Sequence, residues 1–423
     1  MYLSNLLTSL RMIFDPRVIK FLFKSRKLTK KDSSFKLKKF ILFMKFFLKK
    51  EKIVYHEKKY VINSLAPQIP SEAFLDFLNG YYVDGELLKN IGEHKRKYPL
   101  STFIKVTDKC NFNCFYCSAK FKSTKKELTL ENWIDIVKKL NELGTCYIGI
   151  TGGEPLLLNG IEKIISTINE KSFSVLFTNG TNLSLQKAKQ LKSAGLFAIS
   201  ISLDSQEREI QNEIRGHANA YEIALKAIEN SRKAGLYTIV QSVVFKKYLN
   251  KYDFYALCRF VKSKGAHEIR IHKPVFSGAM TKDENNIDMC YNENDLKKLF
   301  SLQDSVNRKF FRYPKVSAFP YTEGPEKFGC TAGTLHSYIS ETGEVTPCDF
   351  IPISFGNALE EDLNTIYHRM STTMCFNRSK CLGEKVNKLM ADNKISSFKE
   401  NEKLIQKLNS DVPIKFIQQI KNK

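Results

Sequence analysis

From Ser101 to His272, short apolar runs alternate with amphipathic stretches, and this alternation limits the fold more than any other feature of the chain. The runs Phe103–Thr107, Tyr147–Thr151, Ser174–Thr178, Phe197–Leu203, Tyr237–Val244 and Glu268–His272 read as strands. Between them Thr129–Leu143, Ile161–Glu170, Ser184–Ala194, Tyr221–Ala234 and Asp253–Lys264 carry helical spacing. Gly144, Gly195, Gly235 and Gly265 each stand where a helix should stop. Repeated strand–helix units imply a parallel sheet with right-handed crossovers. In barrel-like versions the chemistry gathers where strands end, so the residues after each strand carry the functional information.

The flanks differ in composition. Residues 1–60 hold 17 Lys or Arg against 4 Asp or Glu, so the formal net charge of +23 for 423 residues belongs largely to this arm. Leu3, Leu6, Leu7, Leu10, Ile13 and Phe14 have helical spacing before the break at Asp15-Pro16. Residues 36–50, KLKKFILFMKFFLKK, suit a helix lying in a membrane interface, or an arm packed on its own catalytic domain. Nucleic-acid binding is the third reading of the same charges and rests on charge alone. The first ten residues lack Lys and Arg, no small-residue cleavage site follows, and no apolar run reaches about 18 residues. A cytoplasmic protein is expected, with peripheral contact to the inner membrane face through residues 1–60 as an extension. In that setting the ten cysteines read as metal ligands or buried apolar residues rather than disulfides.

The first strand runs into Cys110-Asn111-Phe112-Asn113-Cys114-Phe115-Tyr116-Cys117. Three thiolates at this spacing reach three corners of a cubane cluster and leave one iron open; a structural zinc site would need a fourth ligand. The second strand ends at Gly152-Gly153-Glu154, where glycines admit close backbone approach and the carboxylate can receive an ammonium group. The fourth gives Ser202 and Asp204, followed by Arg215-Gly216, polar groups suited to a ribose or a carboxylate. Taken jointly, these segments resemble the radical S-adenosylmethionine superfamily over roughly residues 101–278. The resemblance implies a partial (β/α)6 TIM-like barrel at 98–280. It also implies a 4Fe–4S cluster on Cys110, Cys114 and Cys117, with S-adenosylmethionine chelated to the open iron. Tyr116 would lie against the adenine, Gly152, Gly153 and Glu154 would hold the methionine amino group, and Ser202, Asp204 and Arg215 would contact the nucleoside and carboxylate. After the sixth strand, His272-Lys273-Pro274-Val275 would pass near the adenine. One electron from a donor such as flavodoxin or ferredoxin would then cleave the cofactor to a 5′-deoxyadenosyl radical, which takes a hydrogen atom from the substrate.

After Met280 the alternation fades. Residues 281–325 read as a connector of helix and loop, 326–390 as a small cysteine-rich domain, and 391–423 as a lysine-rich tail behind an N-terminal arm of 1–95. Cys330, twelve residues, Gly343, four residues and Cys348 resemble the opening of a SPASM or twitch extension. Cys375 and Cys381 would complete a second, auxiliary 4Fe–4S cluster, although the CxxC and the further cysteine of a full SPASM module are missing; a zinc knot on the same four thiols is the alternative. Asp349 beside Cys348 matches a proton-accepting aspartate of some SPASM-bearing maturases, or caps a turn. Cys146, Cys258 and Cys290 read as small buried apolar residues. The expected function is a peptide or protein maturase, with action on a lipid or other membrane-derived molecule, or on RNA, as alternatives.

Overall fold

A computed structural model describes residues 3–21, 47–63, 65–83, 86–87, 98–119, 125–309, 312–373 and 381–392 of the chain. The expected repeats are present as strands β1 (Ser101–Lys105), β2 (Tyr147–Thr151), β3 (Phe173–Thr178), β4 (Ala198–Ser202), β5 (Tyr237–Val243) and β6 (Glu268–His272). An N-terminal helix, α1 (Leu3–Ile13), precedes them. Between strands run α2 (Leu130–Leu143), α3 (Ile161–Thr167), α4 (Leu185–Ser193), α5 (Arg208–Arg215), α6 (Ala220–Lys233) and α7 (Lys251–Ser263). All four helix-stop glycines take a positive φ, between 77° and 105°, where a side chain would be strained. Helix α2 is fixed at its start by a capping box between Thr129 and Asn132, and its Trp133 indole N–H donates to the Val106 carbonyl at 3.2 Å. That buried contact locks α2 to the end of β1, just before the cysteine loop.

The sheet extends further than the alternation suggested. Within the expected connector, α8 (Glu293–Asn307) leads to β7 (Lys315–Ala318), which pairs in parallel with β6. Within the cysteine-rich segment, β8 (His336–Ile339) pairs in parallel with β1, and β9 (Val345–Thr346) closes a hairpin on it. The result is one nine-stranded sheet in the order β7-β6-β5-β4-β3-β2-β1-β8-β9. Both added strands are short, β7 is followed by a helix of only four residues (Phe319–Thr322) and β8 by a hairpin strand, so the periodicity hid them. Helix α5 was also missed; its eight residues have only Ile210 and Ile214 as apolar members.

The strands are buried on both faces. Ile148, Ile150, Ile199, Ile201, Ile269 and Ile271 face the helices, while Tyr147, Phe173, Val175, Ala198, Tyr237 and Ile239 fill the concave side. Each such burial stabilises by roughly 1.5–3 kcal/mol, which is why these runs are almost continuously apolar. Gly149 leaves room for the Phe103 ring, since a Cβ there would lie 2.3 Å from it.

A third apolar cluster joins the N-terminal region to the seam between the strand ends. Phe47, Ile53, Tyr60, Ile62, Phe74 and Phe77 pack with Leu100, Cys146 and Leu335. Glu51, fully buried there, accepts from Lys315 at 2.6 Å, from Asn63 at 2.8 Å and from Lys327. Burial pushes its carboxyl up, and the two lysines outweigh that and hold it below the usual range. Residues 47–63 and 65–77 are therefore part of the folded body. The 36–50 segment lies outside the described residues up to position 46, as does the tail from 393.

Candidate active site

The cysteine loop leaves β1 and is held from three directions by backbone. Gly153 N–H donates to the Thr107 carbonyl at 2.7 Å and Glu154 N–H to Lys109 at 2.8 Å. Asn113 N–H donates to the Arg215 carbonyl at 3.2 Å, and Ala279 N–H to the Cys117 carbonyl at 2.9 Å. A glycine sits at each contact. An added Cβ would stand 2.3 Å from Lys109 O at Gly153, 2.5 Å from Asn113 O at Gly216, and 2.4 Å from Cys117 O at Gly278. Gly152 presses on Thr107 O in the same way, at 2.9 Å. The ends of β2, α5 and β6 thus clasp the residue preceding Cys110, the residue preceding Cys114, and Cys117 itself.

Cys110, Cys114 and Cys117 are reduced and lie within electrostatic reach of one another. Desolvation raises the Cys110 thiol to about 11 and moves Cys114 the same way, although Cys110 is exposed as a residue. A bound cation would favour the thiolates that desolvation opposes. Three thiols on a preformed loop, with no fourth cysteine in it, fit a cluster that keeps one iron open.

Glu154 follows the clasp and is fully buried. Its Oε1 accepts from Thr178 Oγ1 at 2.7 Å and Leu156 N–H at 3.0 Å, and its Oε2 from Asn179 N–H at 2.7 Å. Burial raises its carboxyl to about 7 against those bonds. A buried carboxylate held by neutral donors has the capacity to receive an ammonium group.

Tyr116, Asp204 and Arg215 are brought together, but on each other. Tyr116 OH donates to Asp204 Oδ2 at 2.5 Å, Arg215 Nη2 to Oδ1 at 3.0 Å, and Val243 N–H to Oδ1 at 2.8 Å. Arg215 Nε lies 2.8 Å from Asp204 Oδ2, and the guanidinium covers the Tyr116 ring at 5.4 Å. The fork that the sequence offered to a ligand carboxylate is engaged on Asp204, so the network ties the cysteine loop to β4 and β5. Ser202 ends β4 half-buried, its carbonyl accepting from Gln211 at 3.4 Å. Gln211, buried on α5, also accepts from Asp204 N–H at 2.8 Å.

Across the concave face, a second group forms at the β8–β9 hairpin. Ligand atoms of His336, Cys348 and Asp349 all lie within 4.8 Å of one another. Cys348 Sγ donates to Asp349 Oδ1 at 3.0 Å, and the His336 ring bonds Ser101 Oγ at 2.9 Å through Nδ1. Glu323 accepts from Thr331 Oγ1 at 2.9 Å, and burial raises it to about 7; burial also raises Asp349 and lowers His336 to about 4. Cys381 lies within electrostatic reach of Cys330, while Cys375 is outside the described residues. Of the three cysteines expected to be structural, Cys146 and Cys258 are buried and Cys290 is half-buried. His336 and Glu323 escaped the sequence reading because neither β8 nor the short turn of helix that Glu323 follows was foreseen. Gly216 and Gly278 escaped because only their contact with the loop gives them a role.

A cavity of about 190 Å3 opens beside the second group and reaches the residues that follow the cysteine loop. Its wall includes Ser118 and Ala119, just after the cysteine loop, Arg270 and His336, and Cys348 and Asp349.

Residues 104–261 match the radical SAM superfamily, and residues 330–390 match SPASM, an iron–sulfur cluster-binding domain. The chain is a radical SAM enzyme with a C-terminal SPASM domain. Its cofactors are S-adenosylmethionine and a 4Fe–4S cluster, with further iron–sulfur binding in the SPASM segment. The chain is 25% identical over 294 residues to the sporulation killing factor maturation protein SkfB of Bacillus subtilis, covering 68% of this chain and 70% of SkfB. Its fold is similar to Streptococcus suis SuiB bound to the precursor peptide SuiA, with a TM-score of 0.54 at 17% identity, over 64% of this chain and 65% of that one. It is also similar to anSMEcpe with bound AdoMet, with a TM-score of 0.52 at 19% identity, over 77% of this chain and the whole of that one. Held at the cysteine loop, the cluster would pass on an electron and S-adenosylmethionine would supply a 5′-deoxyadenosyl radical. No described helix is long and apolar enough to cross a membrane.

Proposed function

We propose that this enzyme takes a hydrogen atom from a side chain of a peptide or protein and completes an oxidation there, as a maturase. The observation carrying this reading is the single cavity walled both by the residues after Cys117 and by Cys348-Asp349. A side chain inserted there faces the radical source on one side and the auxiliary centre on the other. At about 190 Å3 the cavity is smaller than the roughly 300–1,000 Å3 pockets that take drug-sized ligands, which favours one side chain over a lipid. The names of SkfB, a maturation protein, and of SuiB with its precursor peptide support the same class.

In this reading Cys110, Cys114 and Cys117 hold the first cluster, and Glu154 receives the methionine ammonium. Gly152 and Gly153 admit the cofactor backbone closely, and Ser202 faces the nucleoside. Tyr116, Asp204 and Arg215 set the loop against β4 and β5 while Tyr116 offers its ring to the adenine. Cys330, Cys348, Cys375 and Cys381 hold the auxiliary cluster. An auxiliary cluster held there would accept the second electron of the oxidation, Asp349 would accept the proton lost with it, and a donor such as flavodoxin or ferredoxin would supply the electron for cofactor cleavage.

The test uses the full chain, reconstituted with iron and sulfide without oxygen, then given S-adenosylmethionine, dithionite and a candidate precursor peptide. The expected result is 5′-deoxyadenosine together with a peptide lighter by two hydrogens. Cofactor cleavage with every candidate peptide unchanged, and a lipid extract altered in its place, would overturn the substrate class.

A further inference from the structure

The geometry points to an anionic lipid surface as the partner of the outward face of α1, with the exposed cations beside that face supplying the charge. Inward, α1 and the turn after it are fully committed. Met12, Val18 and Phe21 are buried in the N-terminal cluster, and Phe21 meets Phe74 with ring centroids 6.1 Å apart. Asp15 accepts from Tyr60 OH at 3.0 Å and from Arg17 Nε at 2.9 Å, and the Arg17 bonds hold its carboxyl down at about 2. Arg11 lies 3.8 Å over the Tyr55 ring. These contacts fix the rotation of the helix about its axis.

With that rotation fixed, Leu7, Leu10 and Phe14 point away from the protein at 63%, 41% and 72% exposure. Their spacing of three and four residues puts them in one stripe. Ile13, at 57%, widens it. A helix already stapled on its inner face gains nothing for folding from a second apolar face, and a contiguous exposed patch of this kind marks an interaction surface. Charge selects the occupant. Arg11, Arg17 and Lys20 are exposed beside the stripe. Apolar residues that sink into the acyl boundary, rimmed by cations, are the composition of a helix that lies on an anionic leaflet. An acidic polymer such as RNA would use the charges and leave the stripe without purpose. This surface lies on the N-terminal body and is independent of the substrate reading above.

The experiment is vesicle flotation of the reconstituted full chain, with phosphatidylcholine alone and with phosphatidylcholine containing about 25 mol% phosphatidylglycerol. Flotation with the anionic vesicles, falling several-fold when salt is raised from about 0.1 M to 0.5 M, is expected. The triple variant Leu7→Gln, Leu10→Gln, Phe14→Gln keeps the charge and should weaken partitioning by roughly ten-fold or more. Its circular dichroism, iron content and 5′-deoxyadenosine formation should match the parent, because the three side chains face outward. The proposal is overturned if anionic vesicles do not float the parent, or if the triple variant floats equally well. It is overturned equally if the stripe is covered by a second copy, seen as a dimer by light scattering that the variant splits, or if RNA competes away all vesicle binding while the variant retains it.

Discussion

The two cysteine sets differ in how they are built. The radical SAM set sits within eight residues of one loop, and four backbone hydrogen bonds from β2, α5 and the turn after β6 hold that loop against close-packed glycines. The SPASM thiols come from separate places: Cys330 before β8, Cys348 after β9, and Cys381 at the start of the helix Leu382–Asp392. The first site is organised by contacts that three separate elements make with one loop. The second is gathered from distant segments, and Cys348 is held by its neighbours in sequence: its carbonyl accepts from Ile351 N–H at 3.0 Å and Thr346 Oγ1 at 3.1 Å, and its Sγ donates to Asp349 at 3.0 Å. Preformation suits a site that must keep one coordination position open, because a saturated cluster could not bind the cofactor.

The largest effects should separate the two sets outright. Cys114→Ala should reduce 5′-deoxyadenosine to the background of dithionite alone. Cys330→Ala should lower iron by about four per chain and leave cofactor cleavage in place. If both variants lost cleavage equally, the division between the centres would be wrong. Asp349→Asn probes the junction of the sets: 5′-deoxyadenosine should persist while peptide oxidation, read by mass, falls by roughly 100-fold. Equal loss of both products would instead assign Asp349 a structural part.

Gly153→Ala tests the clasp itself. Its methyl meets Lys109 O at 2.3 Å, so melting should show a loss of about 2 kcal/mol, with less iron bound at the first site. Unchanged melting would mean the loop is free to move. A subtler check is pH. Metal-free Glu154 ionises near 7 in the folded protein, and near 4.5 when unfolded. Its contribution is therefore complete below about pH 4.5 and is lost as pH rises through about 7, by roughly 2 kcal/mol or more. Glu154→Gln should flatten that part of the stability curve, and an unaltered slope would place the titration elsewhere. Smallest is Tyr116→Phe, which removes the bond to Asp204 and should lower stability by about 1 kcal/mol. A change beyond about 3 kcal/mol would show that Asp204 and Arg215 rearrange with it.

The strand–helix alternation, the helix stops and the cysteine loop were legible in the residues alone, because each is local. Periodicity follows from burying one face of a helix or both faces of a strand, and CxxxCxxC needs only one loop. What the residues left open was long-range. That Arg215 is turned onto Asp204, that Gly216 and Gly278 press on a loop about 100 and 160 positions earlier, and that β8 joins the barrel beside β1 are all set by strand pairing. The sequence determined the chemistry on offer, since thiols, carboxylates and glycines are fixed by covalent identity. Tertiary structure alone decided which of them meet, because a hydrogen bond or a close contact exists only where the packed sheet brings two distant segments within about 3 Å.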